Sequence, residues 1–195
     1  MCAPVASNHS RVREARMAAK LDEWAAQGLI PKYNHWNKTN SFADPVQCGR
    51  YRVDFVFELE AGVLLLEYDE EMHADRNKRC ELVRQAEVSI GYGDMPVHWI
   101  RFNPDDFKVA GVIRPILSRE RYQGLLSLIQ DAVKTPDCEN LITVDYMCYD
   151  KPIKDAGSDL VKSFKFKSIH EYSLWVNDVA PETPADPGTG TGGTA

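Results

Sequence analysis

The residues of this chain best placed to do chemistry lie in Gly62–His73, GVLLLEYDEEMH, where an apolar run ends in Glu67, Asp69, Glu70, Glu71 and His73. Like charges at that density repel, and they are held together either by full solvation or by a cation among them. The apolar run reads as a buried strand, and alternate residues of a strand share a face. Val63, Leu65, Glu67 and Asp69 therefore point one way, and Leu64, Leu66 and Tyr68 the other. Just upstream, YRVDFVFEL (51–59) is a second β-rich run, with Asp54 on the face opposite Val53, Phe55 and Phe57. Only Glu60 and Ala61 separate the two runs, with Gly62 beside them, which is a hairpin signal. In the right register a hairpin sets Asp54 beside Glu67 or Asp69 and gathers three carboxylates at one end of a sheet. Such a cluster suits Mg²⁺, with Mn²⁺ as an alternative, because a hard cation keeps several waters and binds through a few carboxylates. His73, four residues beyond Asp69, would exchange a proton with a metal-bound water or with a leaving oxygen.

Each residue also has a plainer reading. Asp54 can be a hydrogen-bonded structural group, Glu67 an edge-strand charge, Glu70 and Glu71 solvated acids, and His73 a surface or capping histidine. Against this, the VLLL run argues that the strand is central. The following ADRNKRCELVRQ segment brings Arg76, Lys78 and Arg79 close to the acids. An acidic site rimmed by cations is what a metal-dependent phosphodiesterase needs, although an exposed amphipathic helix would carry the same residues.

The elements that must position these groups follow from periodicity. Val12, Ala15, Ala19 and Trp24 recur at roughly helical spacing from Arg11 to Gln27, with Ser10 as N-cap and Gly28 as C-cap. PKYNHWNKT (31–39) reads as a short strand and 41–49 as a loop. A helix is expected from Asp75 to Ile90, a buried strand at VHWIRF (97–102), and a turn at NPDDF. Residues 117–134 read as a helix with Leu117, Tyr122, Leu125, Leu128, Ile129 and Val133 on one side, and NLITVDYMCYD (140–150) as a last strand. The order implies an α/β fold with a central mixed β-sheet flanked by helices. Residues 1–10 read as a flexible N-terminus, 11–150 as the domain, 151–180 as a C-terminal extension of unassigned role, and the low-complexity 181–195 as a disordered tail.

With 195 residues, 44% of them hydrophobic, the chain suits one domain with a sizeable core. Its longest apolar run is far too short to cross a bilayer, and the N-terminus has no signal pattern, so a soluble intracellular protein without a membrane partner is expected. The five cysteines form no CxxC pair, which points to reduced, mostly buried thiols. The net charge is −6, but the basic residues are concentrated in the first two-thirds of the chain. That distribution allows a local phosphate-facing surface and disfavours strong non-specific nucleic-acid binding. Trp36, Tyr51, Trp99 and Trp175 could stack on bases, though packing is their more ordinary role.

The sequence RVDFVF, a short loop, VLLLEYDEEMH, a basic helix and then VHWIRFNPDDF resembles the PD-(D/E)XK nuclease superfamily. Within it, the likeness is to the branch of very-short-patch repair and EDxHD homing endonucleases. The resemblance spans about residues 11–150 and is strongest at Arg52–His73 and Ile100–Asp105. It implies a restriction-endonuclease-like fold and Mg²⁺-dependent hydrolysis of DNA. Asp54 matches the first-strand aspartate that binds the metal, Asp69 the residue closing the second strand, with the carbonyl of Tyr68 beside it, and His73 the following histidine. Glu14 matches a helix glutamate that some members contribute, and Arg79 a phosphate-facing basic position. The superfamily's usual lysine is absent, since EYD stands in its place, and no zinc-ligand spacing is present. Double-stranded DNA is the expected partner, contacted through Lys38 and Arg50 in the 37–50 stretch and through Arg52. A homodimer would serve double-strand cleavage. The competing expectation is a binding or interaction module of the same fold whose catalytic site has decayed.

Overall fold

The computed structural model describes residues 8–39, 52–73, 77–114, 118–134, 137, 139–150 and 160–180. In chain order the elements are α1 (Asn8–Ala26), β1 (His35–Thr39), β2 (Arg52–Leu59), β3 (Gly62–Tyr68), a 3-10 helix (Glu70–His73) and α2 (Lys78–Ile90). They continue as β4 (Val97–Phe102), β5 (Phe107–Val109), β6 (Val112–Arg114), α3 (Ser118–Lys134), β7 (Ile142–Met147), β8 (Val161–Phe166) and α4 (Ile169–Val179). Six strands form one mixed sheet in the order β1-β2-β3-β4-β7-β8. Pairing is antiparallel from β1 to β3, parallel through β3, β4 and β7, and antiparallel again to β8. The expected α/β class with a helix-flanked mixed sheet is the observed one.

The two β-rich runs form the expected hairpin, and every residue of β3 is buried. Burial on both faces explains why β3 reads as a continuous apolar run rather than an alternating one. On one face Phe55, Leu64, Leu66 and Ile100 pack under Met17, Leu21 and Trp24 of α1 and Leu125 and Ile129 of α3. On the other, Val56, Leu65 and Trp99 pack under Leu82 and Val88 of α2 and Tyr172 and Val176 of α4. The buried stripe of α1 is rotated from the expected one: Val12, Ala15 and Ala19 face outward, and Met17 and Leu21 join Trp24 in the core. Larger side chains three and four residues apart bury more area than the small alanines, and they set the face. Gly28 does end α1, at φ +70°, while its N–H and that of Leu29 donate to the carbonyls of Ala25 and Trp24. That is the left-handed helix terminus for which glycine carries no Cβ penalty.

Four elements were not anticipated. The segment after β4 forms the β5–β6 hairpin where only a turn was expected. The stretch read as an extension supplies β8, which completes the sheet, and α4, which packs on α2. Phe164, Phe166, Tyr172 and Trp175 interlock there, with the rings of Phe164 and Trp175 4.9 Å apart. Of the cysteines, Cys148 is buried and Cys80 exposed, both as free thiols; Cys2, Cys48 and Cys138 lie outside the described residues. Among the described residues no helix is long and apolar enough to cross a membrane.

Gly62 is a point of close approach. A Cβ there would stand 2.6 Å from the Pro96 carbonyl oxygen, the acceptor of the Val63 N–H at 2.9 Å. Gly62→Ala must push β3 from the entry of β4. A loss of about 1–3 kcal/mol is expected in urea unfolding, with the m-value unchanged.

Candidate active site

Because β3 runs parallel to β4, and β4 to β7, their C-terminal ends meet at one edge of the sheet, with Glu67 level with Arg101 and Arg101 with Tyr146. In the β2–β3 hairpin Val56 faces Leu65 and Phe55 faces Leu66; one further step sets Asp54 level with Glu67. The ladder stops there. Beyond it, the Tyr68 N–H donates to Asp54 Oδ2 at 2.8 Å, and the Arg52 carbonyl accepts from Arg84 Nη1 at 2.9 Å. Two side chains thus satisfy the backbone where the strands part.

The acids at this edge are interleaved with two buried arginines. Arg84 Nη1 donates to Glu67 Oε1 at 2.9 Å, and its Nη2 reaches Glu81 Oε2 at 3.3 Å. Arg101 Nη2 meets the same Glu81 oxygen at 3.2 Å, and its Nε donates to Asp69 Oδ2 at 2.5 Å. Tyr149 donates its hydroxyl to that Asp69 oxygen as well. The chain Glu67–Arg84–Glu81–Arg101–Asp69–Tyr149 runs between the sheet and α2, and Asp69 is fully buried. Asn77 caps α2 by accepting the Cys80 N–H at 3.1 Å, and Glu81 and Arg84 fall on one face a turn later.

Charge follows geometry. Burial works against the cations of Arg84 and Arg101, but Glu67 and Glu81 around the first and Asp69 and the tyrosines around the second hold both guanidiniums protonated. Burial, then the Asp69 charge, pushes the Tyr149 phenol well up, so it stays a donor. Asp54 behaves differently. Although an edge of the residue reaches solvent, its carboxyl is enclosed. Burial first, then the charge of Glu67, and more weakly Glu14 and Asp69, hold its pKa well above the usual carboxylate range. The Tyr68 N–H opposes them.

The structure therefore brings together Asp54, Glu67 and Asp69, with Glu14 of α1 near enough to act on Asp54. It also gives several of the expected residues other contacts. Glu67 and Asp69 are ion-paired with arginines, and among the described residues no three His, Cys, Asp or Glu side chains converge to hold a metal. Glu70 is not a free surface acid, since Arg13 bridges it at 3.4 Å and Asp105 at 2.6 Å. His73 closes the 3-10 helix, but its side chain, like that of Glu71, lies outside the described set. Arg79 does not face an open phosphate position: Nη1 donates to Asn177 Oδ1 at 3.0 Å and to the Ala180 carbonyl at 2.9 Å. Lys78 reaches the Val179 carbonyl at 3.4 Å, so both cations meet the C-terminal end of α4, where the helix dipole favours them. Lys38 belongs to β1, paired with Val53, rather than to a loop, and its side chain is not described. Arg52 is exposed at the start of β2, while Arg50 and Arg76 lie outside the described residues. Trp99 is core, its indole N–H donating to Ser89 Oγ at 3.0 Å, and Trp175 belongs to the α4 aromatic cluster. Trp36 alone of the described stacking candidates is exposed, lying flat on Phe55, and Tyr51 is outside the described set.

Sequence reasoning missed the roles of Arg84, Glu81, Arg101 and Tyr149. One signal was present: Arg101 is a lone charge inside VHWIRF, as Asp54 is inside RVDFVF, and a buried strand charge requires a partner. Nothing in the sequence marks Tyr149. Comparison of the chain with models of known families, with characterised proteins and with solved structures finds no match.

Arg101→Met strands the Asp69 charge in the interior; a loss of about 3–5 kcal/mol at neutral pH is expected from denaturant unfolding. Asp54→Asn should act the other way. An acid whose folded pKa is raised contributes stability below its unfolded pKa, about 3.9, that is lost as pH rises through the folded value. In EDTA the variant should therefore melt above wild type at pH 8, with the gap closing toward pH 4; equal melting temperatures at both pH values would remove the assignment.

Proposed function

We propose that this chain is a metal-dependent endonuclease that hydrolyses phosphodiester bonds of double-stranded DNA at the edge where Asp54, Glu14, Glu67 and Asp69 meet. The observation that carries the reading is Asp54, enclosed where β2 and β3 part, accepting the Tyr68 N–H and with its pKa raised first by burial and then by the charge of Glu67. A carboxyl crowded by other carboxylates is a latent cation position, because a divalent ion turns their repulsion into attraction. The donors fit in kind: Asp54, Glu14 and the carbonyl of Tyr68 are hard oxygen ligands that leave several positions to water, as Mg²⁺ or Mn²⁺ requires. When bound, the ion supplies charge compensation at the scissile phosphate and acidity to a coordinated water.

The chain's own residues provide the rest. Arg84 and Arg101 fix Glu67 and Asp69, so that the field at Asp54 is preset rather than assembled during reaction. Tyr149 holds the second Asp69 contact. His73, in the turn directly after Asp69, is the group for moving a proton to or from the reacting oxygens. Phosphate contact on the described surface falls to Arg52, exposed at the start of β2. One site per chain cuts one strand, so two-strand cleavage would call for a homodimer.

A second reading, a binding module of the same fold without catalysis, is favoured by the arginine pairing of Glu67 and Asp69. Supercoiled plasmid separates the two. With Mg²⁺ or Mn²⁺, wild type should nick it, EDTA should stop the reaction, and Asp54→Ala should slow it by on the order of 10²-fold or more. DNA binding with no cleavage under any metal would give the module reading.

A further inference from the structure

We infer that the β5–β6 hairpin is a duplex-contacting element, in which Val112 and Ile113 press into a groove of double-stranded DNA while Lys108 and Arg119 take the flanking phosphates. The inference rests on the nucleic-acid reading above and names the surface by which the substrate is held. Position is the first support. β4 runs toward the acidic edge, and the hairpin follows it after one short turn. The Lys108 N–H donates to Asp150 Oδ1 at 2.6 Å, and the Asp150 N–H to Met72 Sδ at 3.3 Å, which ties the hairpin to the 3-10 helix that follows Asp69.

Rigidity is the second. Phe107 and Val109 are buried in the core, and both loop residues have positive φ, Ala110 at 55° and Gly111 at 78°, the pattern of a tight two-residue hairpin loop. The third is exposure against cost. Val112 is 68% and Ile113 57% exposed, the two most exposed large aliphatics on the described surface, and Ile113 pairs with Lys108 on the outward side. Apolar side chains on a stiff projection are the means by which proteins wedge into a duplex groove.

Charge selects the partner. From Phe107 to Arg119 the sequence holds Lys108, Arg114 and Arg119 and no acidic residue, in a chain of net charge −6. Lys108 and Arg119 are exposed and form no ion pair with a described residue. Of the nearby acids, Asp105 pairs with Arg13 and Asp106 with Arg121, each at 2.6 Å, while Asp150 accepts the Lys108 N–H and Glu120 lies beside Arg119 on α3. Arg121 also bonds the Pro104 carbonyl, holding the first turn of α3, and with it Arg119, against the base of the hairpin.

The test is binding of a fluorescein-labelled DNA duplex in EDTA across a salt series, using wild type, Val112→Ser with Ile113→Ser, and Lys108→Ala with Arg119→Ala. The serine pair should weaken binding about tenfold with the salt slope retained. The alanine pair should reduce the slope of log K against log salt by about 1.8, two phosphate contacts at about 0.9 each. Both pairs are exposed, and unchanged melting temperatures would check that the fold is intact. Duplex binding with wild-type affinity and slope in both variants would overturn the hairpin assignment and leave the nuclease reading standing. So would a serine pair that converts a dimer to a monomer in size-exclusion chromatography without altering DNA affinity. Failure of wild type to bind duplex even at low salt would overturn the nuclease reading, and this one with it.

Discussion

Two guanidiniums between the sheet and α2 are the interaction on which the rest of the acidic edge depends. Without Arg84 and Arg101, Glu67, Asp69 and Glu81 would be carboxylates taken largely out of water without the cations that offset the loss. The same contacts lock elements together: Arg84 joins α2 to β3 and to the backbone of β2, and Arg101 joins β4 to α2 and to the residue closing β3. A buried ionic network is poor evidence of net stability, since apolar residues of the same volume often do as well. What it does supply here is fixed geometry, because each guanidinium bridges two acids on different segments.

The RFNPD string that carries part of the family resemblance has a structural account in these terms. Arg101 serves Asp69 and Glu81. Asn103, fully buried, donates to the Cys148 carbonyl at 2.8 Å and accepts the Asp105 N–H at 3.0 Å, joining the turns after β4 and β7. Asp105 receives Arg13 of α1, which also reaches Glu70. Loops carry most binding chemistry because they are placed by a rigid scaffold. Here three of them, after β3, β4 and β7, are joined by side chains whose spacing is visible in one short string.

How much was legible follows from which physics each feature obeys. Period-two patterning and a two-residue turn sufficed for the β2–β3 hairpin, while the choice between Glu67 and Asp69 as the neighbour of Asp54 waited on the register. The α1 stripe was misplaced because evenly spaced alanines mimic an apolar face that Met17 and Leu21 in fact define. β8 was invisible because an edge strand with outward lysines, VKSFKF, looks like a solvated segment. The cations failed most clearly. Arg79 and Arg84 stand on one helix, yet one meets the end of α4 and the other is buried among acids. A charge in sequence announces that a partner is required and says nothing of which partner folding will bring.

The imbalance that remains bears on what the edge is for. Among Asp54, Glu67, Asp69 and Glu81 there are four carboxyl groups to two arginines, and Glu14 adds a fifth. A cluster that only fastened α2 to the sheet would be expected to match its charges, and an asparagine at position 54 could accept the Tyr68 N–H without adding an acid. Instead a further acid sits where two strands part, and an edge of it reaches solvent. Proteins give up stability in this manner where a site needs a group that packing alone would not choose. With its pKa raised by burial and then by Glu67, the Asp54 carboxyl holds its proton more readily than an exposed acid, which lowers the charge the two arginines must offset.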